Sequence, residues 1–188
     1  MNIPNYTVLK DTREQSGWTF QEYDKCSGME LSTLHTGDYT IKGFEEVVCI
    51  ERKASTLEIA GNLGKNKNRF HNEMKRMQEF PFAFLVLEFS ASDLINYPCN
   101  VKLSRQQKSR IRVTGKYLLK SILEFQIWYN INILFCDNKQ NAFLVTNTIS
   151  NLIGQTKKKL FGVRYVRIRS ILLKKNPQAF LCKFDKLR

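Results

Sequence analysis

Directly after Pro81 the chain runs Phe82-Ala83-Phe84-Leu85-Val86-Leu87, six apolar residues without a polar interruption. A strand with one wet face alternates apolar and polar side chains, so an unbroken run of this length predicts a strand buried on both faces of a sheet. The remaining sequence must supply sheet neighbours and helical cover for it. Upstream lie short strand-like runs at Tyr6 to Lys10, Trp18 to Phe20, Met29 to Leu34, Tyr39 to Ile41 and Val47 to Ile50. Gly28, Gly37 and Gly43 punctuate them, as expected of antiparallel strands joined by tight turns.

The hydrophobic period changes at Ser55. Ser55-Thr56-Leu57-Glu58 reads as a capping box, and Leu57, Ile59, Ala60 and Leu63 follow at helical spacing up to Gly64. Gly64 to Asn68 reads as an exposed loop, and a second helix is expected from Arg69 to about Glu79 with Phe70, Met74 and Met77 on one face. Beyond the buried strand, Ser104 to Tyr129 is helical in its second half, with Gly115 a candidate break. Ile131 to Phe135 reads as a strand and Asn138 to Leu152 as a helix. Trp128 and Tyr129 are expected in the core, and His35 and His71 on the surface. Strands first, then helix alternating with strand, predict an α/β (α+β) fold with a mixed sheet flanked by helices.

At 188 residues the chain suits one domain with an extension, and the charge shows where the division falls. Of the net +13, residues 154–188 carry +10, from 11 Lys or Arg against the single acid Asp185; the first 153 residues carry only +3. We therefore divide the chain into a domain at 1–153 and a basic extension at 154–188, whose Val163 to Leu173 stretch alternates apolar and basic residues as a strand with a basic face would. Within the extension, Lys157, Lys158, Lys159, Arg164, Arg167 and Arg169 interleave with Phe161 and Tyr165, a pattern suited to phosphate contact with some base stacking. A polyanion partner is expected. Five scattered cysteines without a Cys-x-x-Cys, and two isolated histidines, suggest neither a disulfide framework nor a zinc site. No apolar stretch reaches membrane-spanning length and no signal-like start is seen, so the expected setting is intracellular, not secreted, with no membrane partner.

Chemistry is concentrated between Gly37 and Lys53. Asp38 follows a turn glycine at the start of one strand, and Glu51 and Lys53 end the next; as alternate strand residues these two share a face. A hard divalent cation needs carboxylate oxygens close together, and an adjacent lysine can orient a water or hold charge developing on a phosphate. By spacing alone, Asp38 capping a turn and Glu51 to Lys53 forming a solvated strand end is an equal reading. The order of further motifs separates the two.

Asp11-Thr12-Arg13-Glu14 follows the first strand, then come Gly37-Asp38-Tyr39 and Glu51-Arg52-Lys53, then Arg69-Phe70-His71-Asn72-Glu73 after the first helix. In that order they resemble the XPF-type (ERCC4-like) structure-specific nuclease domain of the PD-(D/E)xK superfamily, from about Tyr6 to Phe89. The resemblance implies a restriction-endonuclease-like sheet and a DNA endonuclease dependent on Mg²⁺ or Mn²⁺, leaving 5′-phosphates at branched or otherwise structured DNA. It implies Asp38 and Glu51 as metal ligands with the Arg52 carbonyl, and Lys53 as the water-orienting or charge-stabilising group. Asp11 and Glu14 would hold a metal water or a basic neighbour, and Arg13 would pair with cleft acids or touch the scissile phosphate. Arg52 and Arg69 would contact DNA, and no small-molecule cofactor is implied. Where relatives place Asp after E-R-K the chain has Leu57, with Glu58 one position later, and no helix-hairpin-helix follows, as in compact phage and mobile-element forms. A catalytically silent DNA-binding or scaffold subunit is the alternative. Because XPF-type enzymes work as dimers, the apolar segment Gly115 to Tyr129 suggests a homodimer or heterodimer surface.

Overall fold

The run after Pro81 forms β6 (Phe82–Leu87), in which Ala83, Leu85, Val86 and Leu87 are buried, and it lies one place from the edge of a seven-stranded sheet. The computed structural model describes residues 5–154 apart from Asp24, and from Tyr23 only the backbone. All but the first residue of the basic extension, and with it Lys157, Lys158, Lys159, Arg164, Arg167 and Arg169, lies outside the described residues.

The sheet also contains β1 (Tyr6–Asp11), β2 (Glu22–Tyr23), β3 (Cys26–Ser32), β4 (Tyr39–Ile41), β5 (Val48–Lys53) and β7 (Asn132–Phe135). Their order is β2-β3-β1-β4-β5-β6-β7. It is mixed, as expected, but the first strands are not a simple antiparallel meander: β1 pairs parallel with β3 and antiparallel with β4. Strands β5, β6 and β7 run parallel. Trp18 to Phe20 is not a strand. Its backbone is diverted to side-chain contacts, with the Trp18 N–H donating to the Tyr39 hydroxyl at 2.5 Å and both aromatics buried around Tyr39.

Helices cover both faces. Alternation along β5 and β6 sends Cys49, Ala83, Leu85 and Leu87 into one apolar cluster with α1 (Thr56–Leu63), α2 (Lys67–Met77), α3 (Ala91–Ile95) and α5 (Gly115–Tyr129). Val48, Ile50 and Val86 enter a second cluster on the other face, against α6 (Lys139–Gly154). A short α4 (Arg105–Ser109) buries nothing. Helix α2 starts inside the stretch expected to be loop, and α3 opens on a capping box between Ser90 and Asp93 that the sequence reading passed over.

Gly115 begins α5 behind the N-cap Thr114 instead of breaking a longer helix, and the backbone of α3 passes so close that a Cβ there would collide with the Leu94 and Ile95 carbonyl oxygens. Leu118, Ile122 and Phe125 are core residues of α5. Trp128, expected in the core, is 61% exposed beside Ile127 at 76%, since the helix turns both outward. His71, expected on the surface, is half-buried, its ring edge-on to Phe125 at 5.0 Å.

Candidate active site

Register brings the acids together. Lys10 pairs with Tyr39 across β1 and β4, and Tyr39 with Ile50 across β4 and β5. One position further along both ladders, Asp11, Asp38 and Glu51 stand in a row on the helix side, with Lys53 two residues beyond Glu51. Backbone bonds fix the row: the Asp11 N–H donates to the Asp38 carbonyl and the Asp38 N–H to the Ile50 carbonyl, each at 2.8 Å. Gly37 makes this approach possible. Its φ is +81°, and a Cβ would lie 2.6 Å from Cys49 Sγ and 3.1 Å from the Ile50 carbonyl oxygen.

These residues line a cleft of about 640 Å³, whose opposite wall is Glu58 and Asn62 from α1 and Arg69, Glu73 and Arg76 from α2. Six carboxylates and four cations line it. Arg69, Glu73 and Arg76 reach it together because they sit at i, i+4 and i+7, opposite the buried stripe Phe70, Met74, Met77. Arg76 donates through Nε to Thr36 Oγ1 at 3.2 Å and so bridges the walls. Arg76 had no assigned role in the sequence reading, although that stripe already predicts which side of α2 it occupies; Asn62, on α1, was likewise unassigned.

Each carboxylate has a distinct environment. Asp11 is saturated: Oδ1 accepts from the Arg13 N–H and Nε, both at 2.7 Å, and Oδ2 from Arg13 Nη2 at 2.9 Å and the Leu34 N–H at 2.8 Å. The Arg13 side chain therefore holds the Asp11 carboxyl below its usual range. Arg13 itself is tied to Asp11 and to the Leu34 carbonyl. Asp38 accepts only from the Arg52 N–H, at 2.8 Å, among the bonds described. Burial raises its carboxyl to about 6 against the lowering effects of that bond and of Lys53, with Glu14 and Glu73 raising it further.

Glu51 is buried and also raised, first by burial and then by Asp38 and Glu73, while Lys53 pulls in the opposite direction. The Lys53 ammonium donates to Glu51 Oε1 at 2.5 Å and lies 3.5 Å from Glu58. Although burial opposes its charge, Glu51 and Glu73 hold it protonated. Glu58 accepts from the Ala54 N–H at 2.9 Å while its own N–H donates to Ser55, so it serves the start of α1 as well as facing Lys53.

Arg52 departs from its expected DNA-contacting role. Strand alternation turns its guanidinium to the α6 face, where it is 7% exposed and pairs with Glu88 through Nε and Nη2, each at 2.8 Å. Trp18 donates to the same Glu88 at 2.7 Å and lies beneath the guanidinium, and Glu14 approaches at 3.6 Å. This is a buried anchor behind the cleft. Its backbone remains relevant: N–H and C=O of an extended residue point the same way, and the N–H bonds Asp38, so the Arg52 carbonyl also faces the Asp38 side.

Comparison with known proteins identifies the family and the fold. The family model described as the ERCC4 domain matches residues 10–148. The chain belongs to the ERCC4 domain family. Among solved structures, this ERCC4 domain is similar to XPF from Aeropyrum pernix, at 17% identity and a TM-score of 0.53, covering 78% of this chain and 60% of that one. XPF from Aeropyrum pernix in complex with DNA gives 18% identity, a TM-score of 0.52 and coverage of 78% and 64%. The likeness shows a shared fold, and the chain spans less than two thirds of either structure. Comparison with curated proteins finds no match.

Among the described residues of the ERCC4 domain, no three His, Cys, Asp or Glu side chains form a ready-made metal cage. Arg13 and Leu34 occupy the Asp11 carboxylate, whereas Asp38, Glu51, Glu58 and Glu73 line the same cleft. Oxygen-only donors fit a hard divalent cation, and two carboxyls whose ionised forms burial disfavours would be relieved by one.

Proposed function

We propose that the chain is a divalent-metal-dependent DNA endonuclease, Mg²⁺ or Mn²⁺ being the fitting ions. The observation that carries this reading is the placement of Asp38, Glu51 and Lys53 on one face of one cleft, at the mouth of which Arg69 and Arg76 offer positive charge. Asp38 and Glu51 would hold the ion with the Arg52 carbonyl. Bound there, a hard divalent cation supplies Lewis acidity toward a phosphate oxygen and toward water.

The protein's own groups do the rest. Lys53, kept protonated, presents an ammonium that orients a water or meets charge developing on the phosphate. Arg69 and Arg76 position the phosphate backbone from the helix wall. Asp11, Arg13 and Glu14 shape the strand wall. Branched or otherwise structured DNA is the substrate class the family resemblance favours, with a 5′-phosphate on the product. A catalytically silent subunit would not need both buried acids and their lysine in one cleft.

We further assign residues 154–188 to DNA contact and the outward face of α5, with Tyr117, Ile127 and Trp128, to self-association. Light scattering reads the latter, and a monomer mass with and without branched DNA excludes it. The function itself is tested with labelled branched and linear DNAs in Mg²⁺ or EDTA. Cleavage should need the metal and be abolished in Asp38→Asn and Glu51→Gln with binding retained. Activity within a few-fold of the unaltered chain in either variant overturns the assignment.

A further inference from the structure

Over residues 1–153 the chain has 19 Lys or Arg against 16 Asp or Glu. Between Asp93 and Glu124 there is no acid at all and there are seven cations, so the rest of residues 1–153 carries a net charge of −4. The net positive charge of the domain thus comes from one stretch, from the end of α3 through α4 to the first half of α5.

The fold displays that stretch to solvent. Helix α4 buries nothing and is held by its own capping box, Ser104 with Gln107. After it burial alternates along the chain: Ile111 and Val113 pack on the apolar cluster while Arg110 and Arg112 are exposed. Lys116 is exposed at the start of α5. Arg105, Arg110, Arg112 and Lys116 form no ion pair among the described residues, so their charges repel one another without internal compensation.

Its position relates it to the cleft. Ile111 and Val113 share a cluster with Ile59, Ala60 and Leu63 of α1, and Val113 Cγ2 lies 3.8 Å from where a Cβ on Gly64 would stand. Gly64 caps the helix whose Glu58 and Asn62 line the cleft. Six residues at 1.5 Å each set Gly64 about 9 Å from Glu58 along α1, and Asn62 lies nearer, so the arm adjoins the cleft wall.

We propose that this arm is a second nucleic-acid contact: Arg105, Arg110, Arg112 and Lys116 grip the phosphate backbone of a DNA duplex beside the cleft. The proposal rests on DNA being the substrate, but it assigns a surface separate from the catalytic residues and from the C-terminal extension.

The test compares two double variants that remove equal charge. Arg110→Gln with Arg112→Gln alters the arm; Lys25→Gln with Lys42→Gln alters the end of the sheet away from Asp38. Anisotropy of a labelled duplex is followed in EDTA over a series of KCl concentrations. The arm variant should lower the log–log salt slope by about 1.8, at about 0.9 per lost phosphate contact, and the other variant should leave it unchanged. An unchanged slope in the arm variant, or an equal fall in both, overturns the proposal, as does a full-length chain that binds no duplex. Duplex binding with the expected slopes but no cleavage of any DNA would sink the nuclease reading and leave this one standing.

Discussion

Replacing Asp38 by Asn should make the metal-free protein more stable. The Asn side-chain oxygen can still accept from the Arg52 N–H, so the substitution removes charge while keeping the bond that positions residue 38. The folded-state carboxyl sits at about 6 against an ordinary 3.8, chiefly because of burial. Between those values the folded protein binds more protons than the unfolded chain, so stability falls as pH rises through that window and stays low above it. At about 1.36 kcal/mol per pH unit the full effect is roughly 3 kcal/mol, and partial solvent access at Asp38 reduces it to about 2 kcal/mol. For a domain of this size that is about 4–8 °C in Tm.

Urea or thermal unfolding in EDTA from pH 4 to pH 8 checks this. Asp38→Asn should exceed the unaltered chain at pH 8, and the gap should close towards pH 4, where Asp38 is protonated. Mg²⁺ should then raise the stability of the unaltered chain alone, since only that chain retains both carboxylates. A variant that is less stable at pH 8, or a gap that does not vary with pH, would refute the claim that burial of an ionised Asp38 opposes folding.

Arg52→Ala should cost about 3–5 kcal/mol in urea denaturation, because Glu88 is left charged and buried with only Trp18 as partner; a loss under about 1 kcal/mol would contradict the anchoring role. Gly37→Ala meets both a positive φ and the Cys49 sulfur, so unfolding should become easier by about 1–3 kcal/mol, and cleavage should fall with Asp38 displaced. Equal stability and activity in that variant would show that the turn does not set the acid row. Deleting residues 154–188 should flatten the salt dependence of DNA binding by about 0.9 per lost duplex contact, and a soluble truncated chain with an unchanged slope would exclude the extension from the complex.

The parts of the fold legible in the sequence were those governed by local pattern. β6 announced itself by six consecutive apolar residues and α1 by its cap, and the i, i+2 relation of Glu51 and Lys53 correctly placed both on one face. Arg52 shows the same rule being under-used: alternation that joins Glu51 to Lys53 must send Arg52 to the other side, and only the partner Glu88, 36 residues away, makes that side a stable place for a guanidinium. Non-local pairing was hidden. Nothing near Tyr6 or Cys26 specifies that β1 and β3 run parallel, so the row Asp11, Asp38, Glu51 could be named but not aligned. Trp128 was misplaced because apolar character sets what a helix can bury, whereas the packing of Leu118, Ile122 and Phe125 sets which side it does bury.

The Asp11 knot has a mechanical consequence. Four hydrogen bonds converge on that carboxylate, and Arg13 also holds the Leu34 carbonyl, so the strand wall and the segment leading to Thr36 are riveted. The facing helix is seated on Phe70 and on two methionines, Met74 and Met77, whose unbranched thioethers repack easily. Besides the Lys53 ammonium over the Phe70 ring at 5.4 Å, the hydrogen bond from Arg76 to Thr36 links it to the rigid wall. The riveted wall and the methionine-seated helix therefore differ in how readily they yield, like an anvil and a jaw. Amide exchange should be faster along α2 than at Leu34 and Asp38, and should slow along α2 when DNA is held.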